Sequence, residues 1–214
     1  KNLRKAGLPM NLFDFGNLNE MQLDALKEIG NIGSGNAATA LSQMLSRPVS
    51  IDVPQVTVLD YQTVTDKLGG PEELMIGLLL TMSGDLTGMI MFLLQKEFAN
   101  MVLSGLLGEE NFDVEDSMGR SAVMEVGNIM AASYVNAIAS LTGLRIELSP
   151  PSFCMDMVGA ILSVPTIYYA DISDKIIYIE DEFNNSANHA ASHVLLIPEV
   201  EALQTLMRSL GLGE

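Results

Sequence analysis

Two short polar patterns, each a glutamate followed by an asparagine, are the residues of this sequence best suited to chemistry. Glu28 and Asn31 stand three residues apart in the first half, and Glu125 and Asn128 repeat the spacing in the second. An asparagine amide is no base, but its two donors and one acceptor can hold a water molecule in a fixed orientation. A glutamate one helical turn away can pair with a lysine or arginine of a partner protein. Phosphoryl transfer gains most from such a pair, because its loose transition state needs positioning more than proton abstraction.

Both patterns fall on long predicted helices, at about Met21–Leu45 and Ser117–Thr142. At about 100° per residue, each pattern extends into one narrow line along its helix. We call these lines the first stripe, formed by Asp24, Glu28, Asn31 and Gly35, and the second stripe, formed by Ser121, Glu125, Asn128 and Ala132. The opposite helix faces are apolar and predicted to pack on a sheet; they comprise Leu26, Ile29, Ala37, Ala40 and Met44, and Val123, Val126, Tyr134, Ala137 and Leu141.

The two stripes are related by an internal repeat. A shift of 97 positions places Asn128 on Asn31 and gives seven identities in the 31 positions from Asp24 to Pro54. Unrelated sequences would give roughly two identities over that length. Solvation alone explains a single Glu and Asn on a helix face, but it does not explain why asparagine, a mediocre helix former, recurs at the same register. The small residues Gly35 and Ala132, one turn beyond each asparagine, would let another protein approach the helix closely.

The remaining elements predict the fold. Alternating, β-branched and apolar stretches predict strands at "VSIDVPQVTVLD", "LRIELSPPSF", "KIIYIEDEF" and "SHVLLIP", and "LMIGLLLTM" and "LTGMIMFLL" predict a hairpin around Ser83–Asp85. Closing helices are predicted at Lys96–Leu107 and Pro198–Leu210. The expected fold is therefore α/β, with pseudo-two-fold symmetry and two long helices packed on antiparallel sheet with their stripes outward. Residues 1–18 read as a lead-in, and residues 19–108 and 109–214 as two repeats of a single domain, joined by the acidic segment Gly108–Asp116.

Composition excludes several classes of function. With 11 basic and 27 acidic residues, the net charge of −16 repels nucleic acid and anionic lipid. The longest apolar runs are too short to span a bilayer. The only cysteine, Cys154, is expected to be a small buried thiol in a reducing cytosol. The two histidines, His189 and His193, are expected in a polar loop without a metal site. The glycines Gly30 and Gly33 of "GNIGSGN" fit close packing of the helix on the sheet better than a phosphate loop, which would need a following Lys-Ser/Thr.

At the level of whole motifs, "LKEIGNIGSGNAATAL" and "MEVGNIMAASYVNAIASL" resemble the paired signature helices, (D/S)xxxExxN, of the CheC phosphatase family of bacterial chemotaxis. The resemblance covers about residues 20–211. It implies a cytoplasmic hydrolase whose substrate is the aspartyl phosphate of the response regulator CheY. It assigns Asn31 and Asn128 to orienting the attacking water and Glu28 and Glu125 to contacting a lysine of the regulator. No cofactor of its own is implied, because the Mg²⁺ is bound by the regulator.

Within this family the two motifs favour the CheC type, since CheX has one motif and acts as a dimer, and FliY carries a further C-terminal switch domain that does not follow here. The chain is therefore expected to act as a monomer, although a fragment of a longer protein, such as the middle region of FliY, is an alternative. The resemblance also implies binding of CheD, a receptor deamidase, at a short helix over Cys154–Leu162, with Asp156 facing CheD. Core capping by Met155, Val158 and Ile161 is an equal alternative for this segment. A non-catalytic module that only binds CheD or the regulator is the competing function.

Overall fold

The computed structural model describes residues 18–108, 114–169, 175–184 and 189–213. The lead-in up to residue 17 and residues 109–113 of the predicted linker lie outside this part of the chain. The elements of the first half, in chain order, are α1 (Glu20–Leu45), β1 (Ser50–Ile51), β2 (Gln55–Asp60), α2 (Tyr61–Lys67), β3 (Leu74–Gly84), β4 (Gly88–Leu94) and α3 (Lys96–Leu107). Those of the second half are α4 (Ser117–Thr142), β5 (Ile146–Leu148), β6 (Ser152–Met157), α5 (Val158–Tyr169), β7 (Lys175–Asn184), β8 (His189–Pro198) and α6 (Val200–Ser209).

The two long helices form where the sequence predicts them, and each has 26 residues. At the start of α1 a capping box is present: Asn19 Oδ1 accepts from Gln22 N at 3.0 Å, and Gln22 Oε1 accepts from Asn19 N at 2.9 Å. Helix α4 begins after Asp116, which accepts from Gly119 N, and ends at Gly143 with φ of 75°. This left-handed conformation is the reason for the glycine at that position.

One helix was not predicted, and one predicted helix is partly a strand. Helix α2 follows β2 directly, with Asp60 as its N-cap. The segment Cys154–Leu162, predicted to be helical, is strand β6 up to Met157 and helix α5 from Val158. The two differences have one origin, because the shift of 97 that relates the repeats carries β2 onto β6 and the start of α2 at Tyr61 onto the start of α5.

The described strands form one antiparallel sheet in the order β1-β7-β8-β4-β3-β5, with β2 also paired to β7 and β6 also paired to β3. The hairpins β3–β4 and β7–β8 meet in the middle through β4 and β8. Each outer hairpin strand then pairs with strands of the other half: β7 with β1 and β2, and β3 with β5 and β6. The sheet is therefore built by exchange of strands between the two repeats.

Both faces of the sheet are covered. One face packs on α1, α3, α4 and α6 and holds the larger core, which includes Leu26 of α1, Val126 of α4 and Phe92 of β4. The other face packs on α2 and α5 through a smaller cluster that includes Val64 and Ile161. The predicted packing of the long helices on antiparallel sheet is confirmed. Leu141, predicted to be in the core, is 39% exposed because it lies in the last turn of α4.

Candidate functional site

Both stripes lie on the outer surfaces of their helices. All four residues of the first stripe, Asp24, Glu28, Asn31 and Gly35, are exposed. The corresponding residues Ser121, Glu125 and Asn128 of the second stripe are exposed, while Ala132 is partly covered. Each stripe therefore presents a carboxylate and an amide to solvent, where a second protein can contact them.

Two equivalent glycines set the height of these helices above the sheet. A Cβ at Gly30 would lie 2.5 Å from Cγ2 of Val56, and a Cβ at Gly127 would lie 2.4 Å from Cδ1 of Leu78. Both distances are far below van der Waals contact, so a side chain at either position would have to displace Val56 or Leu78. Each glycine immediately precedes the asparagine of its stripe, and the close packing of the backbone at that point fixes where the amide is held.

Gly33 has a different role from the one expected of it, since it packs on a helix and not on the sheet. A Cβ at this position would lie 2.4 Å from the ring of Tyr134. The tyrosine belongs to α4, so its ring lies across the backbone of α1 and holds the two site helices close together. The two stripes are thus carried by a single rigid pair of helices.

Beneath this helix pair lies a buried polar cluster formed by Ser34, Tyr134 and Asp181. Ser34 Oγ donates to Asp181 Oδ1 at 2.6 Å, the Tyr134 hydroxyl donates to Asp181 Oδ2, and the two hydroxyl oxygens are 3.0 Å apart. Desolvation raises the pKa of Asp181 to about 6, against the lowering effect of the two hydrogen bonds. Burial next to Asp181 raises the pKa of Tyr134 well above its ordinary value. The cluster joins α1, α4 and β7 through side chains.

A groove of about 470 Å³ runs beside the second stripe. Glu125 and Asn128 line one side of it, and Pro150 and Pro151, in the turn between β5 and β6, line the other. The catalytic candidates of this half therefore face a concave surface with an apolar opposite wall.

The first stripe has different surroundings. Lys27, the counterpart of Met124, contacts Asp24 across 2.7 Å, and both side chains are largely exposed. Exposed ion pairs of this kind contribute little to stability, so Lys27 can exchange partners readily. The shift of 97 places the double proline on Val53 and Pro54, in the loop between β1 and β2, and Ser149 on Asp52. At these equivalent positions the first half therefore carries charged residues, Lys27 and Asp52, where the second half has Met124 and Ser149.

Asp156 lies on strand β6 and not on a helix, with its side chain exposed. Its neighbours Met155 and Met157 are also exposed, whereas Val158 and Ile161 are buried in the smaller core. Core capping is therefore confirmed for Val158 and Ile161 and wrong for Met155, and the CheD contact stays a prediction. Cys154, expected to be buried, is exposed on the same strand, because β6 pairs only at one edge with β3.

Two buried polar features were missed by the sequence reasoning. Asp181 sits in "YIEDEF", where nothing local distinguishes it from its exposed neighbours, because its partners come from two distant helices. His193, expected in a solvated loop, lies inside β8 with Nδ1 2.8 Å from the Tyr178 hydroxyl. Burial lowers the pKa of His193. The predicted strand "SHVLLIP" began only one residue before His193, whereas β8 begins at His189 and is covered on both faces, so His193 is buried well inside the strand.

Within the part of the chain that the structure describes, no group of three or more His, Cys, Asp or Glu residues is arranged to hold a metal ion. The helices among those residues include none that is both long and apolar enough to cross a membrane.

Comparison with known proteins finds a family match over the two segments that carry the stripes. Residues 21–58 and 118–155 match the CheC-like family, and these ranges hold all but the first residue of α1 and α4, together with β1, β5 and most of β2 and β6. The chain is 32% identical over 203 residues to the CheY-P phosphatase CheC of Bacillus subtilis, covering 92% of this chain and 97% of the relative. It is 30% identical over 137 residues to the flagellar motor switch phosphatase FliY of the same organism, of which it spans 35%.

Solved structures show the same fold. FliY of Thermotoga maritima superposes with a TM-score of 0.74 at 21% identity, over 92% of this chain and 99% of that one. The CheX–CheY–BeF₃–Mg²⁺ complex of Borrelia burgdorferi contains a chain that superposes with a TM-score of 0.50 at 19% identity, over 77% and 95% of the two chains. At these identities the likeness concerns the fold alone.

Proposed function

The chain belongs to the CheC-like family, and we propose from this that it is a phosphatase that hydrolyses the aspartyl phosphate of a phosphorylated CheY-type response regulator. The observation that carries the proposal is the recurrence of an exposed glutamate and asparagine one turn apart on two helices. The relative from Bacillus subtilis, similar over nearly its whole length, is a CheY-P phosphatase. Hydrolysis of an acyl phosphate needs a positioned water more than a strong base, and an asparagine amide supplies that.

In the proposed reaction, Asn31 or Asn128 holds a water molecule in line with the phosphorus and the leaving carboxylate oxygen. The water attacks the phosphorus, the P–O bond to the aspartate breaks, and inorganic phosphate and a free carboxylate result. Charge on the phosphoryl oxygens is balanced by groups of the substrate, including the Mg²⁺ that the regulator binds. The phosphatase therefore needs no metal or cofactor of its own.

Docking is assigned to the rest of each stripe. Glu28 and Glu125 are proposed to pair with a lysine of the regulator, since a charge-assisted contact fixes orientation as well as affinity. Asp24 and Ser121 would contact the partner at the start of each stripe. The exposed Gly35, which has no heavy atom within 4 Å of where a Cβ would lie, and Ala132 would let the partner backbone approach.

Removal of the two amides tests the catalytic role. We expect Asn31→Ala and Asn128→Ala each to leave part of the activity, because the stripes face separate patches of solvent. The double variant should lose about a hundredfold or more, the order seen when one preorganised polar group is deleted. The measurement is phosphate release from a purified response regulator charged with acetyl phosphate in Mg²⁺, with circular dichroism to confirm that each variant is folded.

Asn36 provides a matched control, because it is exposed on α1 but lies about 140° around the helix from Asn31. The variant Asn36→Ala should keep the turnover of the wild type. Wild-type turnover in the folded Asn31 and Asn128 double variant would refute the mechanism. If the wild type binds the charged regulator but never accelerates its hydrolysis, the chain is a binding module.

We further propose that the exposed strand β6 binds CheD, with Asp156 at the centre of the contact, and that the phosphatase acts as a monomer. Support comes from the exposure of Asp156, Met155 and Met157 on strand β6, which offers a charge on one side of the strand and apolar side chains on the other. Reversal of the charge in Asp156→Lys should weaken CheD binding by tenfold or more, measured by isothermal titration, because a buried interfacial charge is costly when it meets a like charge. Unchanged affinity would place the CheD contact elsewhere.

A further inference from the structure

Two methionines stand exposed at equivalent positions at the start of the site helices. Met21 of α1 is 66% exposed and Met118 of α4 is 60% exposed. The shift of 97 that relates the repeats carries one onto the other. Seven of the thirteen methionines in the described residues are buried, and the other two exposed methionines, Met155 and Met157, lie on strand β6 and not on a site helix. A single exposed apolar side chain needs no explanation, but the same one in the same register of a diverged repeat does.

Each methionine extends its stripe toward the helix N-terminus. Met21 precedes Glu28 by seven residues, and Met118 precedes Glu125 by seven. Two helical turns separate the members of each pair by about 10 Å along the axis and by only about 20° around it. A long side chain on a helix leans toward the N-terminus, which carries the thioether further out along the same face. Every stripe thus has an apolar end, then a polar centre, then a small residue.

The backbone that carries these side chains is firmly held. The capping box at Asn19 and Gln22 brackets Met21, and Gln22 Nε2 also donates to the carbonyl of Leu212 at 3.0 Å. Met118 lies between the N-cap Asp116 and Gly119, whose N–H donates to the cap at 2.6 Å. The backbone position of each methionine is therefore fixed while its side chain stays in solvent. Such an arrangement suits binding by a preorganised surface.

The first turn of an exposed helix ordinarily carries polar or acidic residues, which stabilise the helix dipole. A methionine there contributes nothing to the core and exposes apolar surface to water. Methionine is enriched in protein interfaces, where its flexible thioether adapts to an apolar partner surface. The distance from Met21 to Gly35 is 14 residues, or about 21 Å, comparable with the width of a standard protein interface.

We infer that Met21 and Met118 are docking residues, which contact an apolar surface of the phosphorylated response regulator and anchor one end of each stripe on it. The inference rests on the proposed function, since it assigns a further contact to the same partner. The glutamate then sets the orientation of the regulator, and the methionine supplies desolvated contact area two turns away. Neither methionine reaches the phosphoryl group, so they affect binding and not the chemical step.

The test is the double variant Met21→Gln with Met118→Gln, in which glutamine keeps the length of the side chain and is a good helix former. Phosphate release is measured over a range of concentrations of the charged regulator. We expect KM to rise about five- to tenfold with kcat unchanged, as for loss of an interface anchor. The melting temperature should stay at the wild-type value, because the side chains are exposed.

Leu141 and Ile167, 39% and 78% exposed and outside both stripes, provide the control double variant Leu141→Gln with Ile167→Gln. It should leave KM unchanged. Binding of the beryllofluoride-bound regulator to each variant, measured by isothermal titration, reports docking independently of turnover. An unchanged affinity in the methionine variant, or an equal loss in the control, would overturn the inference even where the wild type is an active phosphatase. The wild type could also fail to release phosphate while the methionine variant alone loses affinity for the regulator. That result would count against the proposed reaction and not against the docking role of the methionines.

Discussion

A single buried carboxyl group lies between the two site helices. Asp181 is fully buried, and two hydroxyl groups, from Ser34 of α1 and Tyr134 of α4, donate to its two oxygens. Ser34 is three residues beyond Asn31 and Tyr134 is six residues beyond Asn128. The relative position of the two catalytic candidates is therefore set partly by one acid that neither stripe contains.

Titration of Asp181 should be visible in the stability of the fold. Its pKa of about 6 lies above the ordinary value of 3.8, so the native state holds a proton that the unfolded state has released. Stability from this group is thus present at low pH and falls as pH rises toward 6. We expect the free energy of unfolding of Asp181→Asn, relative to wild type, to rise by about 1 to 2 kcal/mol between pH 5 and pH 7.

Chemical denaturation at a series of pH values measures this difference, and the asparagine amide can both accept from and donate to the two hydroxyl groups. Glu182 on the same strand is exposed, so Glu182→Gln serves as the control and should show no such trend. A pH-independent difference between wild type and Asp181→Asn would mean that the carboxyl group is ionised throughout this range.

At the scale of elements, the sequence predicted the helices and strands whose limits are set by local signals. The capping box at Asn19 and the terminal Gly143 give α1 and α4 their limits, and the asparagines recur because the helices are repeats. Helix α2 was missed because Tyr61–Lys67 is short and largely polar, and its position is decided by packing on the far face of the sheet. Strand β6 was expected to be helical because the family resemblance implied a short helix there. Its strand conformation comes from pairing with β3, a partner distant in sequence.

The environment of each glycine was predictable only in part. Gly30 was expected to pack on the sheet, and it does, against Val56. Gly33 packs instead on Tyr134 of α4. This contact depends on how the two helices are oriented relative to each other, and the sequence of neither helix specifies that orientation. The stripes could be found from spacing, because exposure on a helix follows from period, whereas the buried cluster around Asp181 depends on the meeting of three elements.

At the scale of the whole molecule, the exchange of strands decides how the halves depend on each other. Strand β7 pairs with β1 and β2 of the first half along eight residue pairs, and β3 pairs with β5 and β6 of the second half along nine. Taken alone, either half would leave its outer hairpin strand unpaired along this length. Exposed strand edges of this kind are prone to aggregate. Internal duplication therefore predicts two similar halves but not two separable domains.

Cleavage between the halves should leave them together. A protease site introduced between residues 108 and 114 separates the repeats covalently, but the paired strands and the packing of α1 on α4 hold them in place. We expect the cut protein to elute from gel filtration at the position of the intact chain and to keep its circular dichroism spectrum.

Residues 19–108 and 109–214 produced separately should be insoluble or unfolded, because each lacks the strands that cover its sheet edge. Co-production of the two pieces should restore a folded complex and, with both stripes present, phosphate release from the charged regulator. The opposite result would be two cut fragments that separate under native conditions and each unfold in a cooperative thermal transition. It would show that the repeats are independent domains and that strand pairing between them does not hold the stripes in place.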